Sequence, residues 1–261
     1  MKETLSNAPA ASNQREEYGL IGYPLGHSFS ARFFAEKFQK EGRDASYDNY
    51  EIEDAAQLLK IVEEHPLLRG LNVTIPHKQA VLPLLDNICE EAKAIGAVNV
   101  IRVTHDQEGH PYLKGYNSDV IGFCRSLSPL LRPQHQQALV LGTGGASKAV
   151  VYGLKQLGIT PTYVSRTRGE NKWSYEDLTP EILSTHHVIV NCSPVGMYPH
   201  VNECPNIPYE CLTPDHLLYD LVYNPEETLF LKKGAAQGAT VKNGLEMLHL
   251  QALASWEFWH E

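Results

Sequence analysis

The run Ala138-Leu-Val-Leu-Gly-Thr-Gly-Gly-Ala-Ser-Lys148 constrains this chain most. An apolar stretch fit for a buried strand leads straight into a glycine-rich turn and then into a segment of helical period, the unit from which open parallel sheets are built. In that setting Gly142 permits the tight turn, and Gly144 and Gly145 let a pyrophosphate approach the backbone. Its charge then meets the free N–H groups and positive end of the following helix. Ser147 stands where the third glycine or alanine of a dinucleotide fingerprint would be. A Walker A loop is excluded, because Lys148 follows Ser147 rather than glycine and precedes Ala149.

The next strand, Thr160 to Ser165, addresses which dinucleotide is bound. An NAD site usually ends this strand in Asp or Glu, which bonds the ribose 2′-hydroxyl. Here the strand runs into Ser165-Arg166-Thr167-Arg168. Two guanidiniums and a hydroxyl attract a 2′-phosphate that a carboxylate would repel, so NADP is the expected cofactor.

At 261 residues the chain suits one large or two modest domains. In the first half, strands are expected at Tyr18 to Tyr23, Ser46 to Ile52 and Arg69 to Ile75, with helices at Ser30 to Glu41, Asp54 to Glu64 and His77 to Leu85. A hairpin, Val98 to Val103 and Tyr112 to Tyr116, follows. A helix, Asp119 to Leu131, opens a second βα series with strands at Gln137 to Gly142, Thr160 to Ser165, His187 to Asn191, Leu217 to Leu221 and Ala239 to Val241. Gly244 to Trp259 carries Leu245, Leu248, Ala252, Trp256 and Trp259 at helical spacing. The expected α/β architecture is a mixed-sheet domain, 18–118 with 244–261, plus a Rossmann-type domain, 119–243, the last helix returning to the first domain. Residues 1–17 are expected to be a disordered lead.

Composition removes other classes. With 22 basic and 31 acidic residues, the net charge of −9 disfavours nucleic acid as a partner. No apolar run reaches membrane-spanning length and the first 17 residues show no signal-peptide block, so a cytoplasmic location is expected. Cys89, Cys124, Cys192, Cys204 and Cys211 are odd in number and contain no C-x-x-C, which fits reduced thiols. The twelve histidines, His77, His105, His110, His186 and His187 among them, form no H-E-x-x-H or His/Cys quartet, so no metal site and no metal-dependent hydrolase is expected.

Polar residues gather at the strand ends of the first half: Ser28, Ser30, Asn72, Thr74, Lys78, Asn99 and Asp119. Asn72 and Thr74 share a strand face by the period of two, and Lys78 falls in the first turn of the helix expected after Pro76. Such a set suits a small, hydroxyl-rich substrate.

With Tyr18-Gly-Leu-Ile-Gly-Tyr-Pro-Leu-Gly-His-Ser-Phe-Ser30, Asn72-Val-Thr-Ile-Pro-His-Lys78, Ile95-Gly-Ala-Val-Asn99 and Gly115-Tyr-Asn-Ser-Asp119, the chain resembles the NADP-dependent shikimate dehydrogenases. The likeness continues through Gly142-Thr-Gly-Gly-Ala-Ser147, Asn191-Cys-Ser-Pro-Val-Gly-Met197, Tyr219-Asp-Leu-Val-Tyr-Asn-Pro225 and Asn243-Gly-Leu-Glu-Met-Leu-His-Leu-Gln-Ala252. The resemblance implies that Ser28 and Ser30 hold a substrate carboxylate with Tyr223 nearby. It assigns the substrate hydroxyls to Asn72, Thr74, Asn99, Asp119 and Gln251, and the catalytic pair to Lys78 and Asp119. Gly144, Gly145, Ala146 and Ser147 match its pyrophosphate turn, and Ser165, Arg166 and Thr167 its adenosine-phosphate clamp, which in the family often reads Asn-Arg-Thr. Ser193, Leu221, Gly244 and Met247 match the nicotinamide side.

The implied reaction is reversible reduction of 3-dehydroshikimate to shikimate, by a monomer or homodimer. Two rivals are a quinate/shikimate dehydrogenase using NAD and a catalytically silent NADP-binding relative. Arg166 argues against the first, and Lys78 with Asp119 against the second.

Overall fold

Two six-stranded sheets carry the chain, seen in a computed structural model that describes residues 15–26 and 29–261. The first half comprises β1 (Glu16–Gly22), α1 (Phe29–Glu41), β2 (Ala45–Glu51), α2 (Gln57–Glu64), β3 (Leu68–Val73), β4 (Asn87–Ile88), α3 (Glu90–Ile95), β5 (Val100–His105) and β6 (Pro111–Tyr116). The second comprises α4 (Asp119–Leu127), β7 (Gln137–Leu141), α5 (Gly145–Gln156), β8 (Thr160–Ser165), β9 (Lys172–Ser174), α6 (Pro180–Leu183) and β10 (Val188–Asn191). It ends with β11 (Leu217–Asp220), α7 (Leu229–Ala236), β12 (Thr240–Lys242) and α8 (Leu245–Trp259).

The first sheet, in order β2-β1-β3-β5-β6-β4, is mixed: β1 pairs in parallel with β2 and β3, while β5 runs antiparallel to β3 and β6. The second, β12-β11-β10-β7-β8-β9, is wholly parallel. A parallel sheet is covered on both faces, which accounts for its near-continuous apolar strands. Leu139, Leu141, Ile189 and Leu218 pack on one side with Phe230 and Leu231 of α7. Ala138, Val140, Val190 and Tyr219 pack on the other with Phe123 and Leu127 of α4 and Val150 and Leu154 of α5. The connections leave β7 toward β8 on one side and β10 on the other, so a crevice opens beyond the carboxyl ends of β7 and β10, where doubly wound folds take ligands.

Helix α8 leaves the second sheet and packs on the first. Trp259 donates its indole N–H to Ile101 O at 3.1 Å and lies over Gly70, where a Cβ would stand 2.2 Å from the ring. Tyr18 and Phe34 pack on the same ring, and with Phe38 on that of Trp256.

Several elements differ from expectation. Residues 77–85 form no α-helix; turns lead into one short 3-10 turn, Leu82–Leu84. A helix would direct Leu82 N to Lys78 O, but Lys78 O accepts from Val98 N at 2.8 Å and Leu82 N donates to Gln79 O at 3.2 Å. Pro83 has no N–H to continue such a ladder. The helix expected to reach Leu131 stops at Leu127, with Pro129 in a following 3-10 turn. Strand β1 includes Glu16 and Glu17, placed in the lead by sequence, because Glu16 pairs with Ala45; the rest of that lead, 1–14, lies outside the described residues. Leu245, first of the expected apolar stripe, is exposed, while Ala252 and Trp259 of that stripe are buried, together with Met247, Ala254 and Ser255.

Candidate active site

A cleft of about 430 Å³ lies between the two sheets. Ser30, Asn72, Thr74, Lys78, Asn99 and Asp119 line one wall, and Ala146, Leu221, Tyr223, Gly244, Met247 and Gln251 reach it from the nucleotide-turn side and α8. Ser28 lies outside the described residues. Sequence reasoning missed the apolar lining by Leu20, Leu25, Phe29, Val73 and Leu248, since apolar residues carry no chemical signal of their own.

Lys78 Nζ donates to Asp119 Oδ2 at 2.6 Å, with 17% and 10% of the two side chains exposed. No helix presents Lys78. Its segment is pinned from below by buried His77, whose ring bonds Ile52 O at 2.7 Å, and by the Val98 N–H on its own carbonyl. Asp119 opens α4. The far side of its carboxylate is fixed by Asn99, whose Nδ2 donates to Asp119 Oδ1 at 2.8 Å while its Oδ1 accepts from Ser118 N at 2.7 Å. Both carboxylate oxygens are therefore oriented before any substrate enters.

Behind the wall run further polar contacts. Tyr47 donates to Asn72 Oδ1 at 2.8 Å and Asn72 Nδ2 donates to Ser255 Oγ at 2.9 Å. Burial pushes the Tyr47 phenol well up from its ordinary pKa, with a bond from Ser30 opposing. Tyr47, Ser118 and Ser255 were not singled out from sequence. Ser118 stands inside the Gly115–Asp119 motif, and Ser255 one helical turn beyond Gln251, a spacing that could have found it.

At the glycine turn, Gly142 has φ +107°, a left-handed conformation that favours glycine. Gly144 caps α5, and a Cβ on Gly144 or Gly145 would meet nothing within 4 Å. The helix start is thus an open cradle beside the cleft, and its free N–H groups fit an anion. Ser147 is buried and gives its hydroxyl to Gly144 O at 2.6 Å, so it shapes the turn.

Arg166, Thr167 and Arg168 are exposed past the end of β8. Ser165 Oγ donates to Thr167 O at 2.6 Å, closing the turn. Arg168 pairs with Asp177 at 3.3 Å, whereas no carboxylate among the described residues is in salt-bridge reach of Arg166. A guanidinium without a partner at this strand end fits a phosphate, so the residues present suit NADP.

The loops after β10 and β11 share a buried knot. Asp220 accepts from Asn191 Nδ2 at 2.9 Å, Val222 N at 3.0 Å and Thr228 Oγ1 at 2.6 Å. Burial pushes its carboxyl up to about 6, with those donors opposing. Asn191 Oδ1 accepts from Ser193 Oγ at 2.6 Å, so Ser193 and Leu221 are held by one polar cluster.

Comparison with known proteins agrees with this geometry. Residues 20–101 match the family model described as the shikimate dehydrogenase substrate binding domain. The shikimate dehydrogenase (NADP(+)) of Carboxydothermus hydrogenoformans is 37% identical over 257 residues, covering 92% of this chain and 90% of that protein. The solved shikimate 5-dehydrogenase of Thermus thermophilus, in complex with NADP(H) and shikimate, is 30% identical with a TM-score of 0.80, over 94% of this chain and 93% of that one. A quinate dehydrogenase from Corynebacterium glutamicum, in complex with NAD, superposes with a TM-score of 0.83 at 28% identity, over 94% and 93% of the two chains. Identity at that level over nearly all of both chains means that this chain belongs to the shikimate dehydrogenase family.

Proposed function

We propose that the protein interconverts 3-dehydroshikimate and shikimate with NADP. The observation that carries this reading is the Lys78–Asp119 pair in a polar wall facing the elements of the glycine turn. When bound, NADP supplies or takes up the hydride. Gly142, Gly144, Gly145 and Ala146 would hold its pyrophosphate, with Ser147 keeping the turn closed. Ser165, Arg166, Thr167 and Arg168 would hold the 2′-phosphate, and Ser193, Leu221, Gly244 and Met247 would border the nicotinamide.

Lys78 Nζ holds the proton that a carbonyl oxygen needs as negative charge grows on it, and takes that proton back when shikimate is oxidised. Asp119 fixes that ammonium. Ser28, Ser30 and Tyr223 bind the carboxylate, and Asn72, Thr74, Asn99, Asp119 and Gln251 the hydroxyls.

Two domains, 18–118 with 244–261 and 119–243, meet at the cleft and close on the substrates. Five free cysteines, and no described helix long and apolar enough to cross a membrane, support a cytoplasmic location. A monomer or homodimer is the working form, which gel filtration reads directly.

The test follows nicotinamide absorbance with shikimate or quinate crossed with NADP or NAD. Turnover confined to shikimate with NADP is the expected result. Preferred use of quinate or NAD would move the protein to the quinate/shikimate branch, and NADP binding without turnover would make it a silent relative.

A further inference from the structure

Two residues that do not line the cleft, Tyr47 and Ser255, complete a line of hydrogen bonds behind it. Ser30 is near enough to the Tyr47 phenol to oppose the rise in its pKa, and Tyr47 donates to Asn72 Oδ1 at 2.8 Å. Asn72 Nδ2 donates to Ser255 Oγ at 2.9 Å, and Ser255 Oγ donates to Gln251 O at 2.9 Å. The Ser255 proton is thereby committed to α8, leaving its oxygen as an acceptor. Ser118 Oγ lies 3.1 Å from that oxygen and 3.3 Å from Gln251 Oε1, and it accepts from Asn99 Nδ2 at 3.0 Å. The fully buried Ser255 hydroxyl therefore holds Asn72 and borders the Ser118 hydroxyl that supports Asn99 and Gln251.

An asparagine amide presents opposite chemistry at its two ends, and its partners decide which end faces where. With Oδ1 on Tyr47 and Nδ2 on Ser255, Asn72 keeps one lone pair and one weakly engaged N–H, the latter 3.4 Å from Asn99 O. We propose that Ser255 is a positioning residue for the substrate: through its oxygen it fixes the amide of Asn72. This rests on the proposed shikimate reading of the cleft.

Ser255→Ala removes the oxygen, adds no bulk and suits a helix interior. Loss of one ordering hydrogen bond gives an expected rise of about 5- to 10-fold in both the KM and the Kd for shikimate. The kcat and the KM for NADP stay near wild type, because Lys78, Asp119 and the glycine turn are untouched, while the melting temperature drops modestly, because the buried Asn72 Nδ2 loses its acceptor. A Ser255→Cys variant, with a weaker acceptor, should fall between. Ser118→Ala should raise the same KM, and the double variant should add less than the sum, since both act on one cluster.

A merely structural Ser255 would instead raise both KM values together, through Gly244 and Met247 of the same helix region. That pattern, or a shikimate KM and Kd within about twofold of wild type, overturns the inference. Calorimetric titration of shikimate keeps the two readings apart: an active wild type with an unmoved Ser255→Ala affinity sinks only the positioning role. A wild type that neither binds nor turns over shikimate sinks both.

Discussion

Lys78 Nζ lies 2.6 Å from Asp119 Oδ2, and Asn99 holds the opposite oxygen of the same carboxylate at 2.8 Å. The ammonium is aimed by its partner rather than by a helix. Lys78→Ala should lower turnover by roughly 100-fold or more, the usual scale of a lost acid–base group, with the NADP KM nearly unchanged. Asp119→Asn should also lower kcat, and the double variant should lose little beyond Lys78→Ala alone, because groups acting as a unit are not additive. Steady-state kinetics with shikimate decide; near-normal turnover for Lys78→Ala would refute the assignment.

Gly244 and Gly144 make opposite demands on an added methyl. A Cβ on Gly244 would stand 2.2 Å from Leu221 O, a backbone atom that must move. Gly244 has φ −78°, so the contact alone is at issue. Gly244→Ala should cost about 1–3 kcal/mol of stability, as overpacking does, and raise the NADP KM by displacing Leu221. Gly144→Ala meets nothing within 4 Å, so its melting temperature should hold while the NADP KM rises roughly 10-fold, the effect of about 1.4 kcal/mol of lost approach. Equal melting temperatures for the two variants would contradict this contrast.

The parallel sheet and its glycine turn were legible because a buried strand running into Gly142 has few other solutions. The polar wall was legible because Asn72, Asn99 and Asp119 sit at strand and helix ends, where the fold gathers chemistry, and Lys78 in the turns that follow β3. The segment 77–85 was misread because its apolar spacing suits a helix, while His77 to Ile52 and Lys78 O to Val98 N, contacts distant in sequence, dictate turns. Short elements such as β4, β9 and α6 carry too few residues to show a period. Ser255 and Tyr47 escaped notice because their importance lies in partners up to 183 positions away.

The two arginines after β8 differ in what they already hold. Asp177 takes hydrogen bonds from Ser174 N and Ser174 Oγ at 2.7 and 2.9 Å, which keep its carboxyl below the usual range, and it engages Arg168. Arg166 has no carboxylate in salt-bridge reach among the described residues. Arg166→Ala should raise the NADP KM by about 10- to 100-fold, the weight of a charge-assisted hydrogen bond, and leave the NAD KM unchanged. Arg168→Ala should raise the NADP KM by a smaller factor, about threefold, since Asp177 already engages part of its charge. Comparing kcat/KM for both cofactors reads this; a larger loss at Arg168 would reverse the roles.

Stability should fall with acid before ordinary carboxylates titrate. His135 Nδ1 accepts from Arg132 N and His216 Nδ1 from Thr213 N, both at 3.0 Å, while their Nε2 atoms bond Asp215 O and Leu183 O. Each ring is thus held neutral at the foot of β7 or β11. Burial lowers both pKa values, with the charges of Arg132 and His187 adding to the shift at His135 and that of His187 at His216. The folded state refuses protons that the unfolded chain accepts near pH 6.5, so stability is full above that pH and drains as pH falls below it. The slope is up to about 1.4 kcal/mol per pH unit for each proton of difference. Asp220 has the opposite sign: with its folded value up to about 6, it favours the folded state toward acid and offsets part of the loss below that pH. Asp106 and Asp177, held low, act only at more acid pH, near the ordinary carboxylate range. Denaturant melts between pH 8 and 5 should show a falling midpoint, and His135→Asn with His216→Asn, which keep an acceptor for each backbone N–H, should flatten that fall. An unchanged slope in the double variant would assign the acid sensitivity to other groups.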